Sequence, residues 1–330
     1  MNDVCVLGSF MKDLVASAER RPLPGETLHG TGFAEFLGGK GVNQAIAAAR
    51  MGARTAIVGT IGEDRYGEEF LELLAANAVD TSWVVRHPSL GTGVGLPLVL
   101  PDGGNSIIIV SRANAAITAP DVEAAREVLT SSKVLSVQLE LPVEASHTSL
   151  RLASAAGVTT ILTPAPVGPV DPTLAGYVDI LVPNEVEAAA LTGLDCDDES
   201  QVPMIARKLA EDWDLRACVV TLGSRGAYVL DRAGGLVGEL VQGAGAEFEG
   251  LAAGLCGLHV GGDLMVQPGL QPLGERGGGR LPAAVLQVLL GVDRREPGRQ
   301  RRPGLGKTGE QGRRIARTAH PNAPPACCPA

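Results

Sequence analysis

Three glycines enclose one lysine at Gly38-Gly39-Lys40-Gly41, and Asn43 follows two residues later. Ala45, Ala48 and Ala49 then recur at helical spacing, so a flexible loop feeds a helix whose small face suits close packing on a sheet. Free backbone N–H groups and the positive end of the helix dipole would lie beside a lysine, an arrangement suited to a polar or anionic small molecule. The same spacing also fits a tight strand-to-helix turn with a surface lysine. Other chemistry-bearing residues follow short apolar runs: Asp13 after Val4–Leu7, Glu140 after Val134–Leu139, Asn184 after Ile180–Val182, and the turn Gly223–Gly226 after Ala217–Thr221. Open α/β sheets place ligand contacts at the carboxyl ends of their strands, so these residues would converge on one crevice. Taken alone, Asp13 reads better as an exposed loop aspartate than as a ligand contact.

The elements that must hold these groups follow from periodicity. Continuous apolar runs at 4–7, 55–60, 134–139, 159–162, 180–182 and 217–221 read as buried parallel strands. Residues 68–78, 120–130, 143–156, 185–192 and 202–213 read as helices, and 82–85 and 228–230 as further short strands. Strand and helix alternate to about residue 230, the pattern of a parallel sheet covered on both faces. Residues 28–36 have strand character, and 94–100 with 106–110 flank Pro101-Asp102-Gly103-Gly104-Asn105, a hairpin. A small β element is therefore expected beside the α/β body.

The chain has 330 residues, 45% hydrophobic and only 3% aromatic, so its core must be built from Ala, Val, Leu and Ile. A net charge of −9 argues against general nucleic-acid binding. No apolar run is long enough for a membrane span and no secretory leader is visible, which sets a cytoplasmic expectation. The six cysteines and five histidines show no metal-ligand spacing, and the cysteines read as small buried hydrophobes.

The ordered motifs GSFMKDL, PGET, GGKGVNQAIAAARMGA, VGTIGEDRYG, QLE (138–140), PAP (164–166), PNEVEA (183–188) and TLGSRG (221–226) resemble the ribokinase family of carbohydrate kinases over residues 3–235. The FMKDL, GGKGVN and QLE combination is most similar to its ribose-phosphorylating branch. The resemblance implies a three-layer α/β sandwich with a mainly parallel central sheet and a small β-sheet lid, formed by about 14–37 and 94–110 and offering a homodimer interface. It implies ATP-dependent phosphorylation of D-ribose to D-ribose 5-phosphate, with Mg²⁺. Asp13 would accept hydrogen bonds from sugar hydroxyls, with Met11 and Lys12 beside it. Gly39, Lys40, Gly41, Val42 and Asn43 would grip the sugar, and Glu140 would hold another hydroxyl. Asn184 would lie by the nucleotide phosphates and Glu187 would order Mg²⁺ through water. Thr221, Leu222, Gly223, Ser224, Arg225 and Gly226 would form part of the ATP site. A monovalent cation, K⁺, is also implied, although its usual site is not recognisable in this sequence. Met11 and Thr163 stand where asparagine is common.

The resemblance then stops. The family's late D-T-T-G-A-G-D signature ends on its catalytic base and opens a helix whose N–H groups bind the transferring phosphoryl. Here Gly243-Ala244-Gly245 is a weak remnant, and Ala246 stands where the aspartate belongs. Neither Glu247 nor Glu249 is a good substitute. Of the 43 glycines and 22 prolines, 18 and 9 lie in the last 91 residues, beside an arginine cluster. This Gly/Pro/Arg-rich stretch, 241–330, reads as an irregular or disordered tail produced by a shifted frame or an alternative C-terminus, not as a separate domain. Gly306-Lys307-Thr308 is not a P-loop, because Arg301 occupies the first glycine position, and a solvated tail explains the arginines better than nucleic-acid binding does. The expected activity is therefore weak or absent; the alternatives are a non-catalytic sugar-binding relative or a kinase of another sugar or nucleoside.

Overall fold

The computed structural model describes residues 1–194, 198–231 and 237–241. The Gly243–Ala246 remnant and the rest of the tail lie outside the described residues.

The central sheet is built from β1 (Val4–Leu7), β4 (Thr55–Gly62), β5 (Asp80–His87), β8 (Val134–Gln138), β9 (Thr159–Thr163), β10 (Ile180–Leu181), β11 (Ala217–Thr221), β12 (Ala227–Asp231) and β13 (Val237–Val241). Their order is β13-β12-β11-β10-β9-β8-β1-β4-β5. All pairings from β5 to β11 are parallel, and β12 and β13 add on antiparallel. The second sheet is small, in the order β3-β2-β6-β7, with β2 (Met11–Ser17), β3 (Gly32–Gly38), β6 (Gly93–Val99) and β7 (Asn105–Val110).

Strand alternation divides the core in two. Cys5, Leu7, Leu135, Val137, Leu162 and Val220 face one side, under α3 (Ala119–Ala124), α4 (Arg126–Ser131), α5 (Val143–Ala155) and α7 (Val202–Asp212). Val4, Val6, Ile57 and Val134 face the other, under α1 (Lys40–Arg50) and α2 (Arg65–Ala76). Side chains two apart share a face, so runs such as VCVL serve both layers at once. Cys5 and Cys218 are unbonded core residues, and burial pushes the Cys218 thiol up to about 12.

Three local expectations are corrected. Met11–Ser17 is a strand, so Asp13 lies within the small sheet and not in a loop after β1. The helix expected over 120–130 is two short helices that meet at Ala125. The strand expected over 28–36 runs from Gly32 to Gly38, which carries it directly into the glycine loop.

Candidate active site

The glycine loop is the junction of the two sheets. Gly39 has φ 93° and precedes α1; a Cβ there would lie 2.8 Å from the Ser9 carbonyl oxygen and 2.9 Å from the Met11 nitrogen. A Cβ on Gly41 would lie 2.4 Å from the Gly8 Cα. Only glycine allows the backbones entering and leaving the small sheet to touch here.

That contact changes the chemistry of the helix end. The Lys40 N–H donates to Glu140 Oε2 at 3.0 Å, Val42 N–H to the Ser9 carbonyl at 3.3 Å, and Gly41 N–H to Ser9 Oγ at 3.5 Å. The Ser9 hydroxyl also donates to Glu140 Oε2. The first N–H groups of α1 are thus satisfied by the chain's own groups, one by the Glu140 carboxylate and two by Ser9, where the loop alone suggested free donors. The carboxylate is a negative group of the kind that a helix N-terminus favours.

Asp13 joins the cluster from β2. Its carboxylate lies between two glycines: a Cβ on Gly38 would fall 2.7 Å from Oδ2 and one on Gly95 2.2 Å from Oδ1. The structure therefore gathers Ser9, Asp13, Gly38–Gly41 and Glu140 at one end of the crevice, with Met11 buried beside Gly93 and Gly95. Asn43, in the first turn of α1, donates its N–H to the Gly39 carbonyl at 3.0 Å.

Two residues expected with them point elsewhere. Lys12 alternates with Asp13 along β2 and faces the other side of the strand. Its side chain is 6% exposed, and its ammonium lies 2.7 Å from Glu69, 3.1 Å from Glu35 and over the Tyr66 ring. Val42 is fully buried in the core with Val6, Phe10 and Ile57.

The other end is built on β10 and β11. Asn184 caps α6 (Glu185–Thr192), accepting the Glu187 N–H at 2.8 Å, while Glu187 Oε2 accepts the Asn184 N–H at 2.9 Å. This reciprocal capping box gives the PNEVEA motif a local structural task. Asn184 also bridges to Thr221, whose N–H donates to the Pro183 carbonyl at 2.9 Å. The turn after Thr221 closes with Leu222 N–H on the Gly226 carbonyl at 2.8 Å, and Gly223 and Gly226 take positive φ. Arg225 pairs with Glu185, tying the turn to α6. Ser224 belongs to the short helical turn Gly223–Arg225.

Glu187 is 4% exposed. Burial raises its pKa above the ordinary carboxylate value, against the opposing pull of the Asn184 N–H and the Lys40 charge. The Lys40 charge therefore lies within electrostatic reach of Glu187, while the Lys40 N–H is bound to Glu140. No group of three or more His, Cys, Asp or Glu able to hold a metal occurs among the described residues. A cation here would take its ligands mainly from bound phosphates and water, as Mg²⁺ commonly does, with Glu187 as the nearby carboxylate.

Sequence reasoning missed two groups. Gln44 is buried under α1, donating to Thr163 Oγ1 at 3.2 Å and accepting from Ser136 Oγ at 2.8 Å and from Gln138. Asn114 is fully buried against the backbone of Phe10. Partners about a hundred residues away leave no local trace, although a Gln inside an apolar helix face could have flagged the first.

Comparison with known proteins agrees with this fold. The description "pfkB family carbohydrate kinase" matches residues 1–240. Ribokinase from Mus musculus is 38% identical over 234 residues, covering 70% of this chain and 71% of the mouse protein. Ribokinase from Staphylococcus aureus (strain COL) is 36% identical over 228 residues, covering 69% and 75%. Among solved structures, that of Arabidopsis thaliana ribokinase complexed with ribose and ATP superposes with a TM-score of 0.67 at 29% identity, covering 73% of this chain and 78% of that one. No helix among the described residues is long and apolar enough to cross a membrane. With the profile spanning more than two thirds of its length, this chain belongs to the pfkB family of carbohydrate kinases.

Proposed function

We propose that this chain binds D-ribose and ATP in the crevice between the two sheets, and that it transfers the phosphoryl group to the sugar poorly. The observation that carries the sugar assignment is Glu140 on the N-terminus of α1. With Asp13 it makes that end of the crevice anionic and rich in acceptors, which suits the hydroxyl donors of a neutral sugar and repels phosphate. The phosphates belong at the other end, by Asn184 and the Thr221–Gly226 turn. Mg²⁺ accompanying ATP would neutralise phosphate charge. The chain's own work is to orient the hydroxyl and exclude water, with the small sheet acting as a lid.

The weak point is proton removal. Ala246 has no proton acceptor where the family's sequence pattern has aspartate. Losing a positioned base costs about 10²–10⁴-fold, so ATP-dependent ribose phosphorylation is expected near background, in a protein located in the cytoplasm. A coupled ADP-release assay with ribose, deoxyribose and nucleosides tests this; robust turnover on any of them refutes the impairment. The lid offers a homodimer interface, because edge strand β7 is exposed along its length, with Ile108 66% accessible. Sedimentation as a monomer at 100 μM would remove that assignment.

A further inference from the structure

The chain passes from the central sheet to the small one through Gly8, Ser9 and Phe10, the three residues between β1 and β2. The backbone N–H and carbonyl of Phe10 are both held by one side chain. Asn114, in the 3-10 turn Arg112–Ala116, accepts the Phe10 N–H on Oδ1 at 2.9 Å and donates from Nδ2 to the Phe10 carbonyl at 2.7 Å. Asn114 is fully buried, as is the Phe10 ring, which meets Phe70 edge-on at 5.5 Å. The amide therefore imitates one rung of a strand ladder where no strand is present, and satisfies a buried donor and acceptor that would otherwise be orphaned.

The same amide controls the neighbouring strand. A Cβ on Gly93, the first residue of β6, would fall 2.2 Å from Asn114 Nδ2 and 2.6 Å from the Phe10 carbonyl oxygen. Gly93 is the register partner of Met11, and Gly95 of Asp13. Next to it, Ala113 N–H donates to the Gly91 carbonyl at 3.0 Å and Arg112 to the Thr92 carbonyl at 2.8 Å. The start of β2 and the start of β6 are thus both referred to Asn114, and the two strands together place the Asp13 carboxylate.

We propose that Asn114 is a positioning residue for Asp13, acting through the Phe10 backbone; its effect on sugar binding rests on the assignment of Asp13 to the sugar. Asp13 lies three positions along the extended chain from the clamp, a lever of about 10 Å. A small change of tilt at Phe10 moves the carboxylate by an ångström or more, a displacement that can cost about a hundredfold in a positioned reaction.

The test compares Asn114→Leu, which keeps the shape and removes both hydrogen bonds, with Asn114→Asp, which keeps only the acceptor, and with Asp13→Asn. Hydrogen exchange at β2 and β4 is read beside calorimetric affinities for D-ribose and for a non-hydrolysable ATP analogue. The expected result for Asn114→Leu is exchange at Met11–Asp13 at least tenfold faster with β4 unchanged. Ribose affinity should fall at least tenfold, with nucleotide affinity within twofold. Asn114→Asp should show the same pattern and substitutes for the Leu variant if that fails to fold. Unchanged β2 exchange, or a uniform loss across β2, β4 and both ligands, overturns the proposal. If the unsubstituted chain binds no ribose, the sugar assignment fails, while the exchange pattern still decides the role of Asn114. Asp13→Asn should lose ribose with exchange unaltered.

Discussion

Replacing Lys12 with methionine removes a charge from under the small sheet without changing its length. The Lys12 side chain is 6% exposed, but those of Glu35 and Glu69 are 35% and 30% exposed. Arg65, 68% exposed, also reaches both, at 3.3 and 3.2 Å. Breaking a fully buried pair costs about 3–5 kcal/mol and an exposed one about 0–1. With one buried partner and a residual cation, the cost here is about 2 kcal/mol. For a body of this size that is a fall in Tm of about 4–8 °C. Burial lowers the Lys12 pKa, but Glu69 and Glu35 more than offset it and leave it above 10.5. A cation with a raised pKa contributes its stability below the unfolded value and loses it as pH rises through the folded one. The gap between parent and variant should therefore persist from pH 6 to 10 and narrow at higher pH. Circular-dichroism melts of Lys12→Met, Glu69→Gln and the double variant measure the cost and the coupling. A Lys12→Met melt within 1 °C of the parent, or additive single effects, would refute the ion-pair reasoning. Ribose affinity should fall less than in Asp13→Asn, because Lys12 faces away from the crevice.

Asp64 accepts the Gly67 N–H at 2.9 Å and the Thr92 N–H at 2.8 Å, so Asp64→Ala should lower the Tm by several degrees at neutral pH. Burial raises the Asp64 pKa, but its Thr92 and Gly67 bonds outweigh this and depress it below the ordinary 3.8. The stability it contributes is therefore present above pH 3.8 and lost as pH falls through the lower folded value; melts of parent and variant that stay equally far apart at pH 2 would contradict this. Glu187 has the opposite sign: its raised pKa means that its charged form costs stability as pH rises above 4.5. Glu187→Gln should melt no lower than the parent at pH 7 yet need more Mg²⁺ for nucleotide binding by calorimetry; an unchanged Mg²⁺ requirement removes the metal assignment. Asn184→Ala should cost about 1 kcal/mol through the lost cap and weaken ATP-analogue binding; a loss of nucleotide affinity with no change in melt would assign Asn184 to the ligand alone.

The parallel sheet was legible because buried strands such as VCVL and ACVVT leave continuous apolar runs, and the motif order was legible because glycines mark close backbone contacts. Strand β2 was not, because MKDLV carries a lysine and an aspartate on opposite faces. Its lysine becomes a credible buried residue only once Glu69, 57 residues later, is placed beneath it. The glycine loop shows the limit of local pattern: nothing near it in sequence says that Glu140 fills the helix end. Asn184 and Glu187 show the reverse, since the spacing that suggests nucleotide and metal contacts is also that of a capping box.

The proposed function requires a sugar end of the crevice that still binds ribose. Calorimetric titration of D-ribose into the purified chain and its Asp13→Asn variant measures this. Saturable binding to the parent and at least a tenfold loss in the variant are expected. No ribose binding to the folded parent, or equal affinity in both proteins, would contradict that function.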